Sequence, residues 1–100
     1  MSAQTLDTKS FSDAISKGTA LIDFYADRCP SCRAISPIID GIAAERPDIT
    51  VVKVNVDADE ALASRFSIKS IPTLIVFKDG REVSRMIGAK PKAEILQRLI

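Results

Sequence analysis

Apolar residues along this chain fall in blocks that switch between the helical and the strand period. Ser10-Phe11-Ser12-Asp13 has the form of a capped helix start, with Phe11, Ala14 and Ile15 recurring at i, i+3 and i+4 and Lys17-Gly18 closing the turn. Residues 20–26 are a mostly apolar run of strand length, too uniform for a strand with a wet face, and predict a central strand buried on both sides. Ile35, Ile38, Ile39, Ile42 and Ala43 then form a helical stripe, with Pro37 inside it where a kink is expected. Residues 49–56, rich in β-branched side chains, predict a second central strand, and residues 58–66 a short helix with Leu62 and Phe66 paired at i, i+4. Residues 73–78 and 82–87 read as strands joined through Asp79-Gly80, a pair suited to a tight hairpin. Pro91 opens a last amphipathic helix carrying Ile95, Leu96, Leu99 and Ile100.

Strands separated by helices imply parallel pairing with right-handed crossovers, and the terminal hairpin adds antiparallel strands. The expected class is α/β: a mixed sheet with helices on both faces. At 100 residues the chain is expected to form a single domain spanning residues 1–100. It is 46% hydrophobic and 27% charged, as folded domains usually are, and no repeat or low-complexity tract interrupts it.

Charge and residue counts then narrow the chemistry. Fourteen basic residues against thirteen acidic ones, with five aromatics among 100 residues, argue against nucleic acid as a partner. The apolar runs are too short to span a membrane, and residues 1–17 lack the apolar core of a leader, so a cytoplasmic, reducing location is expected. The chain has no histidine, which removes serine–histidine and cysteine–histidine pairs and imidazole metal ligands. Two cysteines are too few for a structural zinc site or a disulfide scaffold. No metal is expected, and without a glycine-rich phosphate loop no bound cofactor either.

Both cysteines lie in one motif, Cys29-Pro30-Ser31-Cys32, between the first central strand and the long helix. A helix start offers unpaired N–H groups and the positive end of the dipole, which favour a thiolate. Two cysteines three apart there can close a small disulfide without moving the fold. Cys29, expected to be exposed, would attack; Cys32, deeper in the helix, would resolve the mixed disulfide. Arg28 and Arg33 flank the motif and are expected to stabilise negative charge on sulfur. Inert thiols, or half of a metal site shared by a dimer, are the other readings of such a pair.

The segment Asp23-Phe24-Tyr25-Ala26-Asp27-Arg28-Cys29-Pro30-Ser31-Cys32 resembles the active-site segment of the thioredoxin family. The resemblance continues through Pro37, Val54-Asn55-Val56-Asp57, Ile71-Pro72-Thr73, Phe77-Lys78-Asp79-Gly80 and Gly88-Ala89, in order and over essentially the whole chain. It implies the thioredoxin fold, a mixed sheet of four to five strands flanked by four helices. It also implies reduction of protein disulfides through Cys29 and Cys32, with reducing equivalents passed from NADPH by a thioredoxin reductase. Disulfide-containing proteins would be the substrates, and a monomer the working unit.

Asp23 interrupts an apolar strand, where burial is expected to raise its pKa towards neutrality. The resemblance makes it the general base for Cys32, acting through water, and places Lys53 beside it as a tuning charge. An edge position for Asp23 and a solvent-facing Lys53 are the alternatives. The resemblance also implies a cis Pro72 beside the cysteines, leaving the preceding backbone free to pair with an extended substrate strand. Ile71, Gly88 and Ala89, with Arg28, Pro30 and Ser31, would complete the substrate surface.

The chain departs from the family pattern in two places. Pro30-Ser31 stands where glycine and proline are usual, and Tyr25 and Arg28 stand where tryptophan is usual. Ser31 adds a hydroxyl able to bond to a Cys29 thiolate, so a reduction potential less reducing than that of a typical family member is expected. The altered dipeptide leaves open a dedicated oxidant or isomerase, and the fold leaves open a binding subunit whose cysteines matter little.

Overall fold

Alternation along the central strands sorts their side chains onto two faces, and each face is covered by two helices. The computed structural model describes residues 4–5 and 8–100, so the reading of residues 1–17 as leaderless lies partly outside the described residues. In chain order the elements are β1 (Gln4–Thr5), α1 (Thr8–Ile15), β2 (Thr19–Tyr25), α2 (Pro30–Glu45), β3 (Thr50–Asn55), α3 (Glu60–Arg65), β4 (Thr73–Lys78), β5 (Arg81–Ile87) and α4 (Lys92–Arg98). The sheet runs β1-β3-β2-β4-β5, with β1 and β2 parallel to β3, and β4 antiparallel to both β2 and β5. The two-residue β1 carries no periodicity long enough to be read from sequence. α1 begins at Thr8, ahead of the expected cap, so Ser10 sits inside the helix.

One face of the sheet presents Ala20, Ile22 and Phe24 of β2 with Val52, Val54, Ile75 and Phe77, and is covered by Phe11 and Ile15 of α1 and Leu62 of α3. Phe11 centres an aromatic cluster there, with ring centroids 5.4 Å from Phe66 and 6.0 Å from Phe77. The other face presents Leu21, Val51, Leu74 and Val76, under Ile35, Ile39 and Ile42 of α2 and Ile95 and Leu99 of α4. Period two places Asp23 and Lys53 on this second face, beneath α2. Ile100, expected on the core side of α4, is instead exposed because the helix ends before it.

The hairpin forms at Asp79-Gly80, where both residues adopt positive φ as a type I′ turn requires. Its position is locked by Gly18, whose N–H donates to Asp79 Oδ1 at 2.8 Å and whose carbonyl accepts from the Asp79 N–H at 3.0 Å. α2 continues through Pro37, which has no N–H to donate to the carbonyl four residues earlier.

Candidate active site

Cys29 is the N-cap of α2, with extended backbone, and Pro30 occupies the first helical position, where a missing N–H costs nothing. The Cys32 N–H donates to Cys29 Sγ at 3.2 Å, so a sulfur takes the place of the usual capping oxygen. Cys29 and Cys32 are joined as a disulfide, with their Cα atoms 5.2 Å apart. Cys29 retains 8% of its surface and Cys32 3%. Cys29, expected to be exposed, is instead buried, though less deeply than Cys32, because the pair packs with Ala26 against Tyr25, Val56 and Ile71. Ser31 Oγ lies 3.3 Å from Cys29 Sγ.

The Ile71–Pro72 peptide bond is cis, and the Ile71 carbonyl oxygen lies 3.8 Å from Cys29 Sγ. Two hydrogen bonds hold this corner. Thr73 Oγ1 donates to the Ser70 carbonyl at 2.6 Å, and the Gly88 N–H donates to the Pro72 carbonyl at 2.8 Å. Gly88 has φ +94°, a region that side-chain-bearing residues rarely enter, and its would-be Cβ meets nothing within 4 Å. Backbone conformation rather than space therefore selects glycine there. Ile71, just before β4, packs against the cysteine pair, and Gly88, just after β5, is bonded to Pro72; Ala89 beside it is exposed, as are Pro30 and Ser31 at the start of α2. Ile87, 59% exposed and paired with Thr73 across the hairpin, is an exposed apolar side chain at the end of β5 that its sequence position did not single out.

Arg28 and Arg33 make their hydrogen bonds away from sulfur. The Arg28 guanidinium grips Asp57 through two contacts of 3.2 and 3.3 Å, and Arg33 donates to the Asp27 carbonyl at 2.8 Å. The Asp57 carboxylate offsets part of the Arg28 charge.

Behind the disulfide, a cleft of about 260 Å³ is lined by Asp23, Tyr25, Ala26, Asp27, Cys32, Arg33, Ser36 and Lys53. Asp23 is 1% exposed in the middle of β2, and its Oδ1 has no hydrogen-bond partner. Burial pushes its pKa up from 3.8 to about 7, against the lowering effect of the Lys53 charge and with a further rise from Asp40. Lys53, the β3 neighbour of Asp23, is neither solvent-facing nor bonded to that orphaned oxygen. Its Nζ donates to Ser36 Oγ at 2.7 Å and pairs with Asp40 Oδ1 at 3.1 Å. Sequence reasoning missed Ser36 and Asp40. The spacing Cys32, Ser36, Asp40, four apart along one helix, was the available signal. Among the described residues no group of three or more His, Cys, Asp or Glu side chains could hold a metal ion. No helix among them is long and apolar enough to cross a membrane.

Residues 2–100 match the model of the family described as Thioredoxin. The chain belongs to the thioredoxin family. A thioredoxin from Chlamydia trachomatis is 42% identical over 94 residues, covering 94% of this chain and 92% of that relative. One from Mycobacterium bovis is 48% identical over 80 residues, covering 79% and 69%. Among solved structures, a mutant thioredoxin from Halobacterium salinarum superposes with a TM-score of 0.91 at 30% identity, over 98% of this chain and 88% of that one. The oxidised mitochondrial thioredoxin 3 of Saccharomyces cerevisiae gives 0.86 at 29% identity, over 95% and 92%. This thioredoxin-family chain thus has the thioredoxin fold and a redox-active cysteine pair. It is a thiol–disulfide oxidoreductase that reduces disulfides and carries electrons.

Proposed function

We propose that the chain reduces disulfides in extended segments of protein substrates, working as a cytoplasmic monomer without a bound cofactor and recharged from NADPH by a thioredoxin reductase. The Cys29 thiolate attacks one substrate sulfur, forming a mixed disulfide and expelling the other sulfur as a thiolate. Asp23, acting through water in the cleft, then takes the Cys32 proton. The Cys32 thiolate attacks Cys29 Sγ, re-forming the Cys29–Cys32 disulfide and releasing the second substrate thiolate. Two electrons pass to the substrate, and the reductase returns two to the cysteines. The substrate backbone pairs with Ile71, against Pro72, with Arg28, Pro30, Ser31, Gly88 and Ala89 around it. The observation that carries this reading is the disulfide at the α2 N-terminus with a buried, partnerless carboxylate oxygen in the cleft behind it. The test is insulin reduction with NADPH and a thioredoxin reductase. NADPH consumption that depends on this protein is expected; consumption no faster than without it would sink the reading.

The Ser31 hydroxyl, 3.3 Å from Cys29 Sγ, supports a raised reduction potential, because a donor to the thiolate favours the reduced form. Removing that hydrogen bond in Ser31→Ala costs the thiolate about 1 kcal/mol, which corresponds to a potential lower by about 20 mV. Equilibration with a glutathione couple measures it, and an unchanged potential would show that Ser31 does not contact the thiolate.

A further inference from the structure

Between the second face of the sheet and α2 lie two carboxylates and one ammonium in a single cluster. Asp23 and Lys53 are register partners on adjacent parallel strands, and both lie beneath α2. An ammonium so close to a buried carboxylate would ordinarily turn towards it, since pairing offsets much of the cost of burying either charge. Here α2 supplies a competing pair of acceptors one and two turns beyond Cys32. Ser36 Oγ at 2.7 Å and Asp40 Oδ1 at 3.1 Å hold the Lys53 nitrogen, whose side chain is only 15% exposed, while Asp23 Oδ1 has no partner. The other titratable groups lining the cleft are Cys32 and Arg33 on α2, Tyr25 at the end of β2 and Asp27 just after it; β4 sets apolar Leu74 beside Asp23. Arg33 is tied to the Asp27 carbonyl, leaving Lys53 as the cation positioned to answer Asp23.

We propose that Asp40 and Ser36 are positioning residues that hold the Lys53 ammonium off the Asp23 carboxyl group, and so set the pH range in which Asp23 exchanges a proton with Cys32. The proposal rests on the reading of Asp23 as the base for Cys32. It adds that the strength of this base is decided on α2, the same helix that carries both cysteines. Lys53 alone would hold Asp23 ionised and make it a weak base. Asp40 and Ser36 restrain it.

The test is the ¹³C NMR titration of the Asp23 carboxyl carbon in the oxidised protein between pH 4 and 9, without substrate. Asp40→Asn frees Lys53 to pair with Asp23, and is expected to lower the Asp23 midpoint by about 1 unit or more. Ser36→Ala is expected to lower it less, in the same direction, and Asp40→Glu to restore it. The same Asp40→Asn change in a Lys53→Met background separates the two ways Asp40 can act. A shift that vanishes there supports restraint of Lys53. One that persists in full shows that Asp40 acts on Asp23 by its own charge alone and overturns the proposal, as does an unmoved midpoint in both Asp40→Asn and Ser36→Ala. Ser36→Ala, a small change at a half-buried site, keeps the test available should Asp40→Asn unfold. Failure of the underlying base assignment would show differently, as an Asp23→Asn variant that resolves mixed disulfides at the parent rate.

Discussion

A Cys32→Ser variant is expected to stay covalently attached to its substrates. With Cys29 intact it still forms the mixed disulfide, but the intramolecular thiol that would release it is gone. A group held in place at the α2 N-terminus reacts with an effective molarity on the order of 10⁵ M or more, far above any external thiol at millimolar concentration. Turnover should therefore fall by at least about 10³, and the adduct should survive non-reducing electrophoresis and be visible as added mass. Cys29→Ser is expected to give neither turnover nor adduct, because Cys32 lies a turn inside α2 and is less accessible than Cys29, at 3% against 8% exposed. Equal trapping by both variants would overturn the assignment of attacking and resolving roles.

Replacing Asp23 with asparagine is expected to stabilise the oxidised protein, by an amount that depends on pH. The pKa of Asp23 is raised by burial from 3.8 to about 7, so the folded chain holds this proton more tightly than the unfolded chain. Between these values the unfolded aspartate has ionised while the folded one has not, and raising the pH favours unfolding. The contribution is fully present below pH 4, declines across pH 4–7, and is lost above the folded value, a total of about 4 kcal/mol. Asp23→Asn removes that dependence. Urea unfolding should show parent and variant similar at pH 4 and the variant more stable by about 4 kcal/mol at pH 8. A difference that does not change with pH would show that Asp23 does not hold its proton in the folded chain. The same variant should prolong the mixed disulfide on the order of 10²-fold, the lower range for loss of a general base.

Most of the scaffold around this site is legible in residue order. The apolar run at residues 20–26 and the β-branched run at 49–56 correspond to β2 and β3, and the Ile35–Ile39–Ile42 spacing gives the buried side of α2. Such patterns are local: period and punctuation within one element report which face it buries. β1 escaped because two residues carry no period, and its parallel pairing with β3 exists only across the chain. The partners of Arg28 and Arg33 were hidden for a related reason. Their closeness to Cys29 in sequence suggested an electrostatic role, but long side chains bond where geometry allows, and Asp57 and the Asp27 carbonyl lie within reach.

The amino-acid sequence by itself determined that the chemistry is thiol chemistry. Two cysteines three apart at a helix start, with no histidine anywhere, leave a carboxylate as the candidate for moving protons. Asp23 was conspicuous because an acid in an apolar strand is costly, and that cost can be read without coordinates. Only the tertiary structure decided what that acid faces. Lys53 could pair with Asp23 on the next strand or with Ser36 and Asp40 on the helix above, and nothing within a single element distinguishes the two. In the folded chain α2 sets Ser36 and Asp40 within reach of the Lys53 nitrogen, and both hold it. That pairing leaves a buried carboxylate oxygen without a partner behind the cysteine pair.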